Sequence, residues 1–406
     1  MTVSYPPTLK ALLAVAARCE PATARLLASQ PHLAASVGGD GGRVSMARGF
    51  VWAHAASGGD LRSLRGVLGD VRATTGREVL ATVVTATGMD AAREAIAEGW
   101  VSAVMPAPIG QPAAARRLVA LGPAALVVER LELWPALLAA ARAGGVPVVL
   151  HNGRLSARSA ARWGLFPGVL PALLGGLRAG LMQSVADAER LASLCPGLSG
   201  VITVAPSSKL GAARAPSVAV VEALRARYGL GPGRPVRVAG SLRRQEFGPV
   251  LVGAGPGRMV LAPRHPAQAG ACLAAVRASG RRGALASDVA GARRAEVIVV
   301  DTFGGLPAWY GLASEAFVGG TLAPVGGHSP VEAWAAGAPV VVGPHVEAIA
   351  GLLERFEGAV RRVPGAPVWG GEPAALAGEG LAEAVRRGAE EARRVASAQV
   401  VAACAG

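Results

Sequence analysis

Short β-branched runs alternate with alanine- and leucine-rich helical segments along almost the whole chain, and no other feature limits the fold as much. The runs are FVWAHAA from 50, EVLATVVTA from 78, AALVVE from 124, VPVVLH from 146 and GVITVAP from 200. A second series follows: PVRVAGS from 235, RMVLAPRH from 258, EVIVVDT from 296, EAFVGG from 315 and PVVVGPH from 339. Most are continuously apolar, the pattern of strands buried on both faces of a parallel sheet. Between them, segments such as AAREAIAEGW and QAGACLAAVRASG carry apolar residues at helical spacing. The class is α/β.

At 406 residues the chain exceeds one ordinary core. The Gly-, Pro- and Ala-rich stretch 207–235 separates the two series and reads as a boundary. The expected division is an N-terminal helical segment (1–48), a first Rossmann-like domain (49–206) and a linker (207–234). A second Rossmann-like domain (235–375) and a C-terminal helix (376–406) that packs back on the first domain complete it. Two doubly wound domains facing each other across a cleft bind ligands at the carboxyl ends of their strands. No G-x-G-x-x-G follows the first strand and no GxxxxGK[ST] occurs, which argues against dinucleotide oxidoreduction and P-loop chemistry.

The formal charge is +14, and only two of the 41 basic residues are lysines, Lys10 and Lys209. One reading is the codon bias of a GC-rich genome. The other is attraction to anions: a phosphorylated substrate, an acidic membrane surface or nucleic acid. Aromatic residues make up 4% and form no basic-aromatic ribbon, so nucleic acid is the weakest of the three. Four scattered cysteines without a CxxC pair read as reduced thiols, neither a metal site nor a disulfide framework. LKALLAVAA at 9–17 is too short to span a bilayer and lacks a clear cleavage site after it. It reads as an amphipathic helix, lying on a membrane surface or packed on the protein.

The polar clusters fall just after strands: HAASGGD (54–60), APRHP (262–266), DTFGGL (301–306) and GGTLAPVGGHSPVE (319–332). Asp60 reads either as a helix N-cap or as a general base, with glycines beside it letting an acceptor approach. Arg264 and His265 form a surface turn or hold a phosphate or carboxylate. Ser329, Pro330 and Glu332 spell a capping box with proline at the first helical position. Such a helix start would offer His328 and the backbone N–H groups of Gly326 and Gly327 to an anion. Glu332 would then complete the box or accept from two ribose hydroxyls; Ser329 can cap without it, which favours ribose.

These motifs occur in one order: VWAHAASGGD, LELWPALLAAARAGGVPVVLHNGRLSARSAARW, MQSVADAERLASL, LAPRHP, VIVVDTFGGL and AFVGGTLAPVGGHSPVEAWAAGAPVVVGPH. The chain thereby resembles the bacterial 3-deoxy-D-manno-octulosonic acid (Kdo) transferases, from about residue 50 to about residue 360. The resemblance implies a GT-B fold and an inverting glycosyltransferase of lipopolysaccharide core biosynthesis. It would move Kdo from CMP-Kdo to a lipid A precursor on the cytoplasmic face of the bacterial inner membrane. It implies no cofactor, no metal ion, no nucleic acid, and peripheral contact with the anionic membrane.

Asp60 falls at the position of the family's catalytic base. The donor side implied is Lys209, Ser241, Arg264, His265, Thr302, Gly304, Gly320, Thr321, Gly327, His328, Ser329 and Glu332. The acceptor side is Ser57, Gly58, Gly59, Glu132 and Arg154. Departures are concentrated at the motifs. Asp60 stands for glutamate, Gly305 for glutamate and Ser329 for asparagine. APSSKL lacks a preceding Gly-Asn and a following Asp, and MPAPIGQP lacks an aspartate. Glu132 keeps the family's spacing to Trp134, while Glu129 is one residue out of step. Two alternatives stay open: another GT-B enzyme using a UDP-sugar, and a catalytically impaired homologue that binds nucleotide or lipid.

Overall fold

The computed structural model describes residues 46–231, 235–255, 257–366, 368–369 and 375–405. The expected N-terminal helix, with Lys10 and Cys19, lies outside them. The chain divides into two units, one ending at Ala212 and regaining the chain from Ala389, the other Ala213–Gly388.

The first unit is built on seven strands: β1 (Val51–Ala55), β2 (Val79–Val83), β3 (Ala103–Pro106), β4 (Ala125–Glu129), β5 (Val148–Gly153), β6 (Leu177–Met182) and β7 (Ile202–Val204). Every pairing is parallel, in the order β3-β2-β1-β4-β5-β6-β7. Both faces are covered. Val51, Ala53 and Ala55 join one core with Leu61, Leu64 and Met89, while Phe50 and Trp52 join the other with Leu126, Leu137 and Leu150. The C-terminal helix Gly378–Ala405 contributes Ala396, Val400 and Ala403 to the first of these cores.

The second unit repeats the plan with β8 (Val236–Leu242), β9 (Arg258–Pro263), β10 (Gly283–Leu285), β11 (Val297–Val299), β12 (Glu315–Val318), β13 (Val340–Val342) and β14 (Val360–Arg362). Its parallel order is β10-β11-β9-β8-β12-β13-β14. One core gathers Leu242, Met259, Leu261, Val299, Phe317 and Trp369.

Four of these strands are missing from the runs read in the sequence, β3, β6, β10 and β14. Three are edge strands, short and half-buried, so they need no strong apolar signature. β6 is interior, but LRAGLM has no β-branched or aromatic residue and by propensity reads as helix. Parallel pairing with β5 and β7 overrides that local preference.

In both sheets the direction of strand addition reverses once, between β1 and β4 and between β8 and β12. Loops leaving these neighbouring strands diverge to opposite faces, which opens a crevice at their carboxyl ends. Two of the polar clusters of the sequence follow β1 and β12 at these points, and the other two follow β9 and β11 in the second sheet.

Candidate active site

In the first unit, β1 runs into Ala56 and Ser57 and then the helix Gly58–Ser63. Ser57, extended at φ −127°, is the N-cap, and its side chain accepts from the Asp60 N–H. The expectation of Asp60 as N-cap is therefore corrected: the cap comes three residues earlier, and Asp60 sits in the first turn. A serine cap with an acid three residues on is the more stable start, because each side chain meets the other's end of the turn. The Ser57 hydroxyl also donates to Asp60 Oδ2 at 2.6 Å.

The glycines of this turn do different work. A Cβ on Gly58 would overlap the Thr87 carbonyl, so Gly58 lets two chain segments approach. The expectation that it makes room for an acceptor is not what its surroundings show. Gly59 alone faces open space, with nothing nearer than 4.0 Å to a Cβ.

Two cations converge on the other Asp60 oxygen. Lys209 Nζ lies 3.6 Å and Arg130 Nε 3.7 Å from Oδ1, and the carboxylate is only 15% exposed. Burial holds the Lys209 ammonium below the ordinary lysine range and Arg130 adds to this, while Asp60 and Glu129 pull the other way. Lys209, expected on the donor side, thus belongs to the first unit beside Asp60. Glu132 is electrically part of the same cluster. Burial raises its carboxyl above the usual range and the Asp60 charge reinforces that, against the Trp134 indole, which donates to Glu132 at 3.0 Å. Arg154, half-buried, follows β5 at the same end of the sheet.

Beneath this cluster lies a residue that the motifs did not single out. Glu129 ends β4 and is completely buried. Its Oε1 accepts from Ser63 Oγ at 2.8 Å and Asn152 Nδ2 at 2.9 Å, and its Oε2 meets His151 Nδ1 at 2.5 Å. Asn152 in turn bonds both the side chain and the backbone N–H of Ser208, next to Lys209. The Asp60 carbonyl lies 2.7 Å from the same Ser63 hydroxyl, whose single proton the two acceptors share. One buried carboxylate therefore ties the Asp60 helix, β5 and the Lys209 turn together.

In the second unit the loops after β8 and β12 interlock. Glu246, also completely buried, accepts four backbone N–H groups: Arg243 and Gly320 at 2.8 Å on Oε2, Leu322 at 2.9 Å and Ala323 at 3.2 Å on Oε1. Gly320 is left-handed at φ 73°, and a Cβ there would press on the His328 ring. Thr321 is buried and donates to the Val318 carbonyl.

His328 Nε2 lies 3.1 Å from Arg243 Nε, which can only donate, so this ring nitrogen accepts and carries no proton. Burial drives the His328 pKa down to about 4, and the Arg243 and Arg264 charges assist. Arg264 and His265 are exposed just after β9, and Thr302 and Gly304 are exposed after β11. The Arg264 charge also reaches Glu332, lowering a carboxyl that burial raises.

The expected capping box does not form. The helix is a single turn, Val331–Ala335, with Pro330 in the N-cap position and no side-chain cap. Because the turn begins one residue later, Glu332 is the second helical residue and cannot reach back as the third would. Ser329 is exposed, its Oγ 3.5 Å from the Val331 N–H. Nor are the Gly327 and His328 amides free for an anion: Gly327 N–H donates to Gly320 O and His328 N–H to Gly319 O. Those amides close the loop on itself, because both glycines before His328 are left-handed, at φ 86° and 90°.

Among the described residues only Arg130, Asn152 and Ser241 have positive φ without being glycine, at 58°, 58° and 55°. Arg130 directly follows β4, and Asn152 and Ser241 are the penultimate residues of β5 and β8. Such conformations cost on the order of 1 kcal/mol or more and persist where the surroundings enforce them. The strain therefore marks the same loops as the hydrogen bonds do.

The family model for 3-deoxy-D-manno-octulosonic-acid transferase (kdotransferase) matches residues 23–211. The 3-deoxy-D-manno-octulosonic acid transferase of Bordetella pertussis is 35% identical over 316 residues, 73% of this chain and 71% of that protein. The chain belongs to this family. It is a glycosyltransferase by that membership. Among solved structures, the UDP-GlcNAc 2-epimerase of Neisseria meningitidis superposes with a TM-score of 0.55 at 10% identity, covering 87% of this chain and 98% of its own. A glycosyltransferase of Rickettsia africae gives 0.53 at 11% identity, covering 87% and 94%. At that distance the likeness speaks for the fold, two Rossmann-like units of the GT-B type.

In this Kdo transferase family member, Arg130 directly follows β4 and its guanidinium faces Asp60. Glu129, one residue earlier, points into the interior. The signal that could have exposed it is an acid closing an otherwise apolar five-residue strand, ALVVE. Glu246 gave no comparable sign, because backbone N–H donors leave no trace in sequence.

Proposed function

We propose that the protein transfers Kdo from CMP-Kdo to the hydroxyl of a lipid A precursor, with inversion at the anomeric carbon. Asp60 carries the reading. It is a mostly buried carboxylate at the carboxyl end of β1, at the sheet's switch point, fixed by Ser57 on one oxygen and by Lys209 and Arg130 near the other. In the proposal Asp60 removes the proton from the acceptor hydroxyl, which attacks from the side opposite the leaving cytidine monophosphate. Ser57, Gly59, Glu132 and Arg154 line the acceptor's approach.

In the second unit, Arg264 and His265 receive the leaving phosphate, and Arg243 supplies further positive charge. Ser241, Thr302, Gly304, Gly320, Thr321, Gly327 and His328 shape the donor site, and Glu332 takes the ribose hydroxyls. These arginines serve the role that a divalent cation fills in other transferases, so the proposed reaction uses no metal and no cofactor. The acceptor is lipid-embedded, which puts the enzyme peripherally at the cytoplasmic face of the inner membrane.

The test is an assay with CMP-Kdo generated in situ and a lipid A precursor, analysed by mass, beside a working family member. The acceptor is expected to gain one or more Kdo residues with the wild type and none with Asp60→Ala. An unshifted acceptor beside a working control overturns the assignment. Thermal stabilisation by UDP but not by CMP overturns the choice of donor.

A further inference from the structure

From β5 the first unit continues through Arg154 and Leu155 into the helix Ala157–Gly164, a short turn and the helix Val169–Leu173. The first of these helices is strongly sided. Ala160 and Trp163 pack on the core, while Arg158 and Arg162 are exposed on the opposite face. At its end the chain turns through Leu165 and Phe166, which are 74% and 52% exposed. Large adjacent apolar side chains left in water at a loop tip are unusual, since burying each would gain about 1.5–3 kcal/mol.

The stretch of sequence that carries this tip is basic. Residues 133–186 contain five arginines (Arg142, Arg154, Arg158, Arg162 and Arg178) and no aspartate or glutamate. On the neighbouring helix Val185–Leu194, Asp187 is engaged by Ser184, the Leu155 N–H and Arg190, which leaves Glu189 as its one exposed acid. An apolar wedge flanked by exposed arginines matches the boundary between acyl chains and anionic headgroups, where wedge and charge each contribute to binding. A nucleic acid would use the arginines but leave the Leu165–Phe166 pair unexplained.

We infer that the 158–168 segment is a membrane-docking element, with Leu165 and Phe166 entering an anionic bilayer and Arg158 and Arg162 meeting lipid phosphates. It rests on the proposed lipid-embedded acceptor for its purpose, though not for its geometry. The segment is reached five residues after the end of β5, whose penultimate residue Asn152 is bonded to Glu129 and Ser208. A tip anchored at 165 therefore hangs from the same strand end that holds the Asp60 cluster.

The experiment is vesicle flotation of the full chain with phosphatidylglycerol–phosphatidylethanolamine vesicles, against phosphatidylcholine alone. Leu165→Glu with Phe166→Glu, and separately Arg158→Glu with Arg162→Glu, are expected to weaken binding to the anionic vesicles roughly tenfold or more. Arg116→Glu with Arg117→Glu, the same charge change on another exposed helix face of this unit, should alter it far less. An environment-sensitive dye on Leu165→Cys should shift to the blue on anionic vesicles and be quenched by brominated acyl chains.

Wild-type binding by both tip variants, an equal loss in the Arg116/Arg117 variant, or a dye that stays in water while the protein binds would each overturn the inference. Capture of RNA with no vesicle binding would do the same. None of these readouts needs a sugar donor. A protein that docks through Leu165 but transfers no Kdo therefore refutes the function and leaves the docking element standing.

Discussion

Each unit organises its loops around one completely buried glutamate, but the two are satisfied in opposite ways. Glu129 is held by side chains, Ser63, His151 and Asn152, whereas Glu246 is held by four backbone N–H groups. Side-chain partners have rotors, tautomers and amides that can turn to suit a changed neighbour; a backbone N–H can only donate. The first arrangement fixes which residues meet, and the second fixes the path of the chain whatever the residues are. This fits the sequence around them. The first unit's hub is assembled from polar side chains, while the second unit places glycines at 320, 326 and 327, where the chain path has positive φ.

The largest expected effect tests that contrast directly. In Glu246→Gln the new amide must face two backbone N–H groups in either orientation, leaving them unsatisfied beside another donor. An unpaired buried polar group costs about 1–3 kcal/mol, so the loss should be roughly 3 kcal/mol or more, close to that of Glu246→Ala. Denaturant unfolding of the second unit measures it. A Gln variant as stable as wild type would mean that the four distances do not represent hydrogen bonds to a carboxylate.

Next in size is Asp60→Asn, which keeps shape and removes the charge. Kdo transfer should fall about 10²- to 10⁴-fold, the usual share of a general base, with the unfolding midpoint little changed. Removing Asp60 also removes one of the charges that raise the Lys209 pKa, so that ammonium should titrate lower in the variant. Retained activity in Asp60→Asn would move the base elsewhere, and Glu132, whose carboxyl feels the Asp60 charge, is the candidate this cluster offers.

Glu129→Gln is the counterpart of Glu246→Gln and should be mild, about 1 kcal/mol or less. The amide oxygen can still accept from Ser63 and Asn152, and its NH₂ can donate to His151 in the tautomer with a bare Nδ1. Glu129→Ala, by contrast, strands three partners and should lower both stability and the transfer rate, because the Asp60 helix and the Lys209 turn lose their common tie. Equal losses for Gln at both positions would erase the distinction between the two hubs.

The sheets and most strands were legible because continuous apolar runs have few other uses. What stayed hidden was β6, whose Leu, Ala, Gly and Met carry no strand preference, and the short edges, which bury too little to need one. The sites were half legible. Asp60, Arg264, His265 and the Gly-Gly-His loop stood out as polar islands after strands. Their supports did not, since Glu129 and Glu246 act by hydrogen bonds to distant or backbone partners. The capping box fails to form for a related reason. Ser-Pro-x-Glu is a local signal, and the register of a one-turn helix is decided by where the preceding glycine loop delivers the chain.

The smallest effect distinguishes the histidines of the two hubs. His151 faces a carboxylate, but His328 faces Arg243, and its folded-state pKa is lowered to about 4. A group whose protonated form is disfavoured in the folded state binds fewer protons there than when unfolded, where its pKa is near 6.5. His328 should therefore cost the second unit stability as pH falls from about 6.5 towards 4, and nothing further below that. His54, fully buried in the first unit and also lowered to about 4 by burial, predicts the same window for its own unit. Following the imidazole signals by NMR separates the two. Arg243→Gln should raise the His328 pKa, since the second largest cause of its depression is gone, and leave His54 where it was. A His328 that titrates at its ordinary value in the wild type would show that its ring is not held against Arg243, and that the loop carrying it is set by Glu246 alone.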